Sequence, residues 1–113
     1  PMRHPLDVAR LDFTKIGQFQ FYAADEARYP ALRLAREVMR QGNLWGAAFN
    51  AAKEVALDRF ISGDIGFLDM AILVEKALHS MDRAGLLSTA PRDLPDVLLA
   101  DQATRERART IDV

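Results

Sequence analysis

The stretch Asn43-Leu-Trp-Gly-Ala-Ala-Phe-Asn-Ala-Ala-Lys-Glu-Val-Ala-Leu-Asp-Arg-Phe60 decides the fold of this chain. Asparagine at its start is a good helix N-cap, and Ser62-Gly63 beyond its end predicts where the helix stops. Apolar residues occupy more than one stripe of this helix, and the alanines among them let neighbouring helices approach closely. We therefore expect it at the centre of a bundle, with Trp45 and Phe60 filling space at its ends rather than forming a ligand box.

Another helix is predicted before the central one, beginning at Pro30 and ending at Gly42. Proline suits a first helical turn, and glycine commonly supplies the left-handed residue that ends a helix. Its apolar positions recur with helical spacing at Ala31, Leu34, Ala35, Val38 and Met39. The opposite face carries Arg33, Arg36, Glu37 and Arg40, which we interpret as a solvated face rather than a binding patch.

Two further helices are predicted after the central one. The first keeps one fully apolar face until Gly85, formed by Phe67, Met70, Ala71, Val74, Ala77, Leu78 and Met81. A loop over residues 86–95 follows. The last segment, residues 96–111, carries a thinner stripe of Val97, Ala100, Thr104, Ala108 and Ile111.

The first 28 residues differ from the rest because their pattern is irregular and interrupted by Pro1 and Pro5. They hold too many large apolar residues for a free linker, namely Leu11, Phe13, Ile16, Phe19 and Phe21. We interpret residues 1–28 as an extended connector arm from a catalytic domain that precedes it, and residues 29–113 as a helical bundle. The predicted fold class is all-α, a small bundle of about four helices preceded by this arm.

Composition excludes several classes of function. The 113 residues carry 15 basic and 16 acidic side chains, a formal charge of -1, so no net field attracts nucleic acid or an anionic membrane. Met70-Ala-Ile-Leu-Val74, the longest apolar run, is far short of the ~20 residues that a membrane span needs. The absence of cysteine excludes thiol chemistry and fits a cytoplasmic protein.

Side chains with catalytic or metal-binding potential are few. His4 lies in the arm, and His79 falls on the polar side of its helix, each without a partner at ligand spacing. The acidic pairs Asp25-Glu26 and Glu54 with Asp58 could hold magnesium or act as acid and base, but Glu54 and Asp58 lie beside Lys53 and Arg59 as ordinary surface charges do. We therefore predict no catalytic, cofactor-binding or metal-binding residue in this chain.

The segment Phe49-Asn-Ala-Ala-Lys-Glu-Val-Ala-Leu57, followed by Phe60-Ile61 and Ile65-Gly-Phe-Leu-Asp69, resembles the carboxy-terminal domain of the 1-deoxy-D-xylulose 5-phosphate reductoisomerases. Leu11-Asp12-Phe13, with Phe19 and Phe21, is similar to the family's connector, and Arg28-Tyr-Pro30 to the start of its first helix. Met2-Arg3-x-Pro5 looks like the short segment that closes the family's catalytic domain. The departures from the family, Gly46, Phe49 and Lys53, concern local packing.

The resemblance implies an architectural domain of a larger enzyme. That family uses NADPH and a divalent metal, Mg or Mn, to convert 1-deoxy-D-xylulose 5-phosphate to 2-C-methyl-D-erythritol 4-phosphate in non-mevalonate isoprenoid biosynthesis. Its nucleotide, metal and substrate motifs belong to its other domains, so none is carried over to this chain. The implied partner is the catalytic domain of the same chain, in a homodimeric cytoplasmic enzyme, and the alternative is a free-standing helical module that binds a partner protein.

Asn50 carries one further expectation. It lies on a helix with apolar residues on most sides, so we predict that its amide is buried and bonds backbone groups of the arm or of a neighbouring loop, fixing the arm against the central helix. The alternative is a solvent-facing seam with Lys53 and Glu54.

Overall fold

The computed structural model describes residue 2 and residues 4–113, and the predictions for Pro1 and Arg3 lie outside this part of the chain. The described residues form five helices and no strand: α1 (Phe13–Ile16), α2 (Pro30–Gln41), α3 (Trp45–Ile61), α4 (Asp69–Arg83) and α5 (Leu94–Arg109). Four of them are long, and α1 is a single turn within the arm. The predicted all-α bundle is confirmed.

Helix α3 lies at the centre of the bundle, as predicted, because its contacts with α2, α4 and α5 are together the most extensive that any of the helices makes. Its alanines at 48, 51, 52 and 56 are buried, and their small side chains let the other helices pack closely against its backbone. Trp45 is buried at one end. Phe60 at the other end stays partly exposed and meets Phe67 edge to face, with ring centroids 5.9 Å apart.

The predicted N-cap of α3 is wrong. Leu44 stands at the N-cap position, while Asn43 adopts a positive φ of 47° in the tight connection from α2. Gly42 also has a positive φ, which asparagine and glycine tolerate better than other residues. The Asn43 amide instead donates to the backbone oxygen of Ser88 at 2.9 Å, so its role is to join this connection to the α4–α5 loop.

Helix α2 begins and ends as predicted, and it buries Leu34 and Val38. Met39 is 83% exposed, outside the apolar stripe in which the pattern placed it. The arginine face is a solvated one whose charges are paired: Arg33 with Glu75, Arg36 with Glu26, and Arg40 with Glu37. These exposed pairs each contribute little to stability.

Helices α4 and α5 begin at different residues from those predicted. Helix α4 starts at Asp69, whose carboxylate accepts the N–H of Gly66 at 2.8 Å, so Phe67 belongs to the preceding turn. Helix α5 starts at Leu94 because Asp93 caps it, accepting the N–H of Asp96 at 3.2 Å. Their buried residues, with those of α2 and α3, make one continuous core.

The arm is mostly irregular, but it is not extended throughout. Asp12 caps the one-turn helix α1, with its carboxylate accepting both the N–H and the hydroxyl of Thr14. Asp25 caps a turn that leads into α2 by accepting two backbone N–H groups. No helix among the described residues has the length and apolar character needed to cross a membrane.

Candidate functional site

The side chains considered for chemistry are distributed over the surface. His4 and His79 are exposed, on the arm and on α4. Glu26 pairs with Arg36, and Asp25 caps the turn before α2. Within residue 2 and residues 4–113, no three histidine, cysteine, aspartate or glutamate side chains are grouped to hold a metal ion.

Glu54 joins two helices rather than forming an acidic pair with Asp58. Arg105 of α5 donates to it at 2.6 Å, and the same guanidinium donates to Asp101 at 2.6 Å. The hydrogen bond from Arg105 lowers the pKa of Glu54, and the bonds to Asp101 and Glu54 raise the pKa of Arg105. The carboxylate of Glu54 therefore contributes to the contact between α3 and α5.

Asn50 is exposed, so the prediction that it is buried is wrong. Its amide donates to Glu54 at 2.9 Å along the same helix face, and not to the arm. The alternative interpretation, in which Asn50 lies on a solvent-facing seam with Lys53 and Glu54, is the correct one. Asn50 shares its face of α3 with Glu54, which meets Arg105 of α5, whereas the neighbouring positions Ala51 and Ala52 are the buried ones.

The most distinctive surface feature is an apolar groove where the first turn of α2, the middle of α3 and the start of α4 meet. Its volume is about 400 Å³. Its walls include Tyr29, Leu34, Phe49, Leu57, Phe67 and Leu68. We call this feature the groove.

The groove is formed by small side chains at its floor and larger side chains at its walls. Phe49, Lys53 and Leu57 stand at four-residue intervals on α3, which brings them to one face of the helix. Between this face and its neighbours lie Ala31, Ala56 and Ala71, which leave space that larger residues would fill. An apolar depression of this kind favours an apolar side chain from a partner.

The rim of the groove extends the apolar surface outward. Phe67 and Leu68 are 68% and 71% exposed, and Ile61 nearby in the chain is similarly exposed. Sequence patterning placed Phe67 on the apolar face of a helix and missed this role. Two adjacent large apolar residues after Gly66, directly before the acidic Asp69 that starts α4, were the available signal.

The arm joins the bundle at this same rim. Arg28 and Tyr29 line the groove, and the Arg28 guanidinium lies 5.5 Å from the centroid of the Tyr29 ring. Beyond this root the arm exposes large apolar residues along its length, among them Leu11, Phe13, Phe19 and Phe21. Exposed apolar area of this extent on adjoining elements marks an interaction surface.

A second cavity of about 570 Å³ lies at the opposite end of α4, between Leu44, Met81, Leu86 and Leu99. Arg92 and Asp96 stand at its edge, joined by two side-chain hydrogen bonds of 2.9 and 2.8 Å. These bonds, with one from the Arg92 backbone N–H, lower the pKa of Asp96 to about 2. This ion pair orders the loop that enters α5.

The fold and this surface define a class of protein: a small helical bundle domain with an apolar arm and an apolar groove at the root of that arm. Comparison with known proteins identifies the class more closely. The family described as DXP reductoisomerase C-terminal domain matches residues 1–107.

Individual relatives agree with this match. The 1-deoxy-D-xylulose 5-phosphate reductoisomerases of Cereibacter sphaeroides (strain ATCC 17025) and Ruegeria pomeroyi are 53% and 56% identical over 108 and 107 residues. These alignments cover 96% and 95% of this chain and 27% of each relative.

A solved structure gives the same result. The 1-deoxy-D-xylulose 5-phosphate reductoisomerase of Zymomonas mobilis in complex with NADPH superposes with a TM-score of 0.78 at 39% identity, covering 95% of this chain and 27% of that chain. This chain belongs to the DXP reductoisomerase C-terminal domain family. It spans about a quarter of the length of the reductoisomerases that it matches.

Proposed function

We propose that this chain is the structural carboxy-terminal domain of an NADPH-dependent 1-deoxy-D-xylulose 5-phosphate reductoisomerase. The complete enzyme makes 2-C-methyl-D-erythritol 4-phosphate for non-mevalonate isoprenoid synthesis, as a homodimer in the cytoplasm. The family match over residues 1–107 is the observation that carries this proposal. Relatives at 53% and 56% identity that bear the reductoisomerase name support it.

The domain contributes packing and not chemistry. Of the candidate carboxylates, Glu26 and Glu54 are engaged by arginines, and the described residues include no cluster suited to a divalent cation. The residues present therefore do not fit the metal that the family implies, and we derive no catalytic step through it. In this proposal NADPH, the metal and the sugar phosphate bind to the catalytic part of the enzyme.

The partner of the domain is that catalytic part of the same chain. Residues 1–28 connect the two, and residues 29–113 form the bundle. The apolar side chains of the arm and the rim of the groove lie on adjoining elements, so one partner surface can cover Tyr29, Phe67 and Leu68 together. Covering them removes large apolar side chains from water, which favours association by about 25 cal/mol per Å² of apolar surface.

A complementation experiment tests the proposal. The chain is produced together with the remainder of a reductoisomerase, and complex formation and substrate-dependent NADPH oxidation are measured. We expect the chain alone to bind no NADPH by calorimetry and to restore activity to the remainder. Saturable NADPH binding by the isolated chain would contradict the assignment, and failure to associate would favour a free-standing interaction module.

Two matched variants locate the contact. Leu68→Asp places a charge on the groove rim, while Met39→Asp places one at a similarly exposed apolar position outside the groove. We expect the Leu68 variant to weaken association at least tenfold and the Met39 variant to change it by less than threefold. Equal effects of the two variants would show that the groove is not the docking site.

A further inference from the structure

The last four residues, 110–113, leave α5 but remain attached to the bundle, and we call them the strap. Both the N–H and the hydroxyl of Thr110 donate to the Arg107 carbonyl, which turns the chain after the helix. Ile111 is buried within the core. The family match covers residues 1–107, so membership assigns no role to the strap.

Cationic side chains from two other helices hold the backbone of the strap. Arg59 of α3 donates to the carbonyl oxygens of Ile111 at 2.7 Å and Ala108 at 3.2 Å. Lys76 of α4 donates to the carbonyl oxygen of Asp112 at 2.7 Å. Hydrogen bonds with a charged donor are stronger than neutral ones, and these also satisfy carbonyl groups left without partners where α5 ends.

Arg59 also organises the turn between α3 and α4, residues 62–68, which we call the corner. Its Nε donates to the Asp64 carboxylate at 2.6 Å. Its backbone oxygen accepts the N–H groups of Asp64 and Ile65, at 2.9 and 3.4 Å. One arginine, only 18% exposed at its side chain, thus connects the strap and the corner.

We propose that the strap is a latch that holds the corner in place through Arg59. With the strap in position, the guanidinium is fixed between the Ile111 carbonyl and Asp64, and Ile111 fills the core beneath. Release of the strap removes the Ile111 carbonyl, one of the acceptors that orient Arg59, and leaves the corner held by fewer contacts. The exposed Phe67 and Leu68 of the corner then sample more positions.

Amide hydrogen exchange followed by NMR tests the latch in the whole chain. Ile111→Ala removes apolar packing from the strap while leaving the Arg59 and Asp64 side chains in place, and Arg59→Met removes the connection while retaining the apolar stem. We expect the amides of Asp64 and Ile65 to exchange at least tenfold faster in both variants, while the amides of α2 change by less than threefold. Arg40→Met, at an exposed arginine paired within α2, is the control and leaves the corner unchanged.

The results that overturn the latch are specific. One is unchanged exchange at Asp64 and Ile65 in Ile111→Ala while the amide of Thr110 exchanges faster, because the strap would then be loose without consequence for the corner. Another is equal acceleration in α2, which would show general loss of stability. If Arg59→Met does not fold, Lys76→Met replaces it, since Lys76 donates to the Asp112 carbonyl of the strap and a fivefold acceleration at the corner is expected.

Discussion

Arg59 and Ile111 are 52 residues apart in the sequence, yet the guanidinium of the first donates to the backbone carbonyl of the second at 2.7 Å. The bond joins the end of the central helix to the end of the chain. No local sequence pattern predicts this contact, because the acceptor is a backbone carbonyl, which every residue type carries.

Replacing Arg59 therefore tests an interaction of tertiary origin. We expect Arg59→Met to lower the free energy of unfolding by about 1–3 kcal/mol, because hydrogen bonds to charged groups carry energies of that order and carbonyl acceptors lose their partner. Urea denaturation measures it. Arg40→Met, which breaks only an exposed pair, should stay within about 0.5 kcal/mol of the parent.

Two substitutions of Asn43 separate its backbone conformation from its side-chain bond. Asn43→Ala loses the bond to Ser88 and places a Cβ residue at a φ of 47°, which adds roughly 1–2 kcal/mol of strain. Asn43→Gly loses the same bond without the strain. We expect the glycine variant to be more stable than the alanine variant by about 1 kcal/mol in denaturant unfolding, and the opposite order would contradict the left-handed conformation.

Asn50→Ala should be close to neutral, within about 0.5 kcal/mol of the parent, since the exposed amide bonds only to Glu54 on the same helix. Thermal unfolding at neutral pH is a sufficient measurement. A loss of about 1–3 kcal/mol would instead indicate a buried amide with necessary partners.

Core packing predicts the largest effect. Leu73 on α4 is completely buried, so Leu73→Ala should lower the free energy of unfolding by about 2–5 kcal/mol through lost apolar contact and the cavity left behind. Leu98→Ala removes the same atoms from an exposed position on α5 and should cost less than about 0.5 kcal/mol. Similar losses for both variants would be inconsistent with this core.

Asp96 gives the protein a specific sensitivity to acid. Its pKa falls from 3.8 to about 2 on folding, chiefly through the hydrogen bond from the Arg92 side chain. Because the folded pKa is lowered, the ion pair stabilises the fold above pH 3.8 and the contribution is lost as the pH falls towards 2. Asp96→Asn should melt below the parent at pH 6, and the difference should shrink between pH 4 and pH 2.

A control isolates that titration. Leu98→Ala changes an exposed apolar side chain on α5 and no carboxylate, and we expect the difference between its melting temperature and that of the parent to be the same at every pH. If the difference between Asp96→Asn and the parent stays constant down to pH 2, the carboxylate of Asp96 does not titrate with folding.

Much of the fold was predictable from the sequence because helix formation depends on residues three and four positions apart. The spacing of Leu34 and Val38, with Pro30 before them and Gly42 after, predicted α2 correctly at both ends. The alanines of α3 predicted its central position, since small side chains permit close approach on several sides. The resemblance carried by Phe49-Asn-Ala-Ala-Lys-Glu-Val-Ala-Leu57 predicted the family that comparison then confirmed.

Tertiary structure decided which positions face solvent and which residues meet from distant parts of the chain. Asn50 is exposed on the face that it shares with Glu54, and periodicity within one helix does not specify which neighbour covers which face. Asn43 bonds to the Ser88 backbone, and Arg59 to the Ile111 backbone, because packing of α4 and α5 brings those carbonyls within reach. The groove is also a product of tertiary structure, because its walls come from three helices, α2, α3 and α4. The spacing of apolar residues along the chain determined where the helices form. The packing of side chains between the helices, and their bonds to distant backbone carbonyls, determined which residues are exposed.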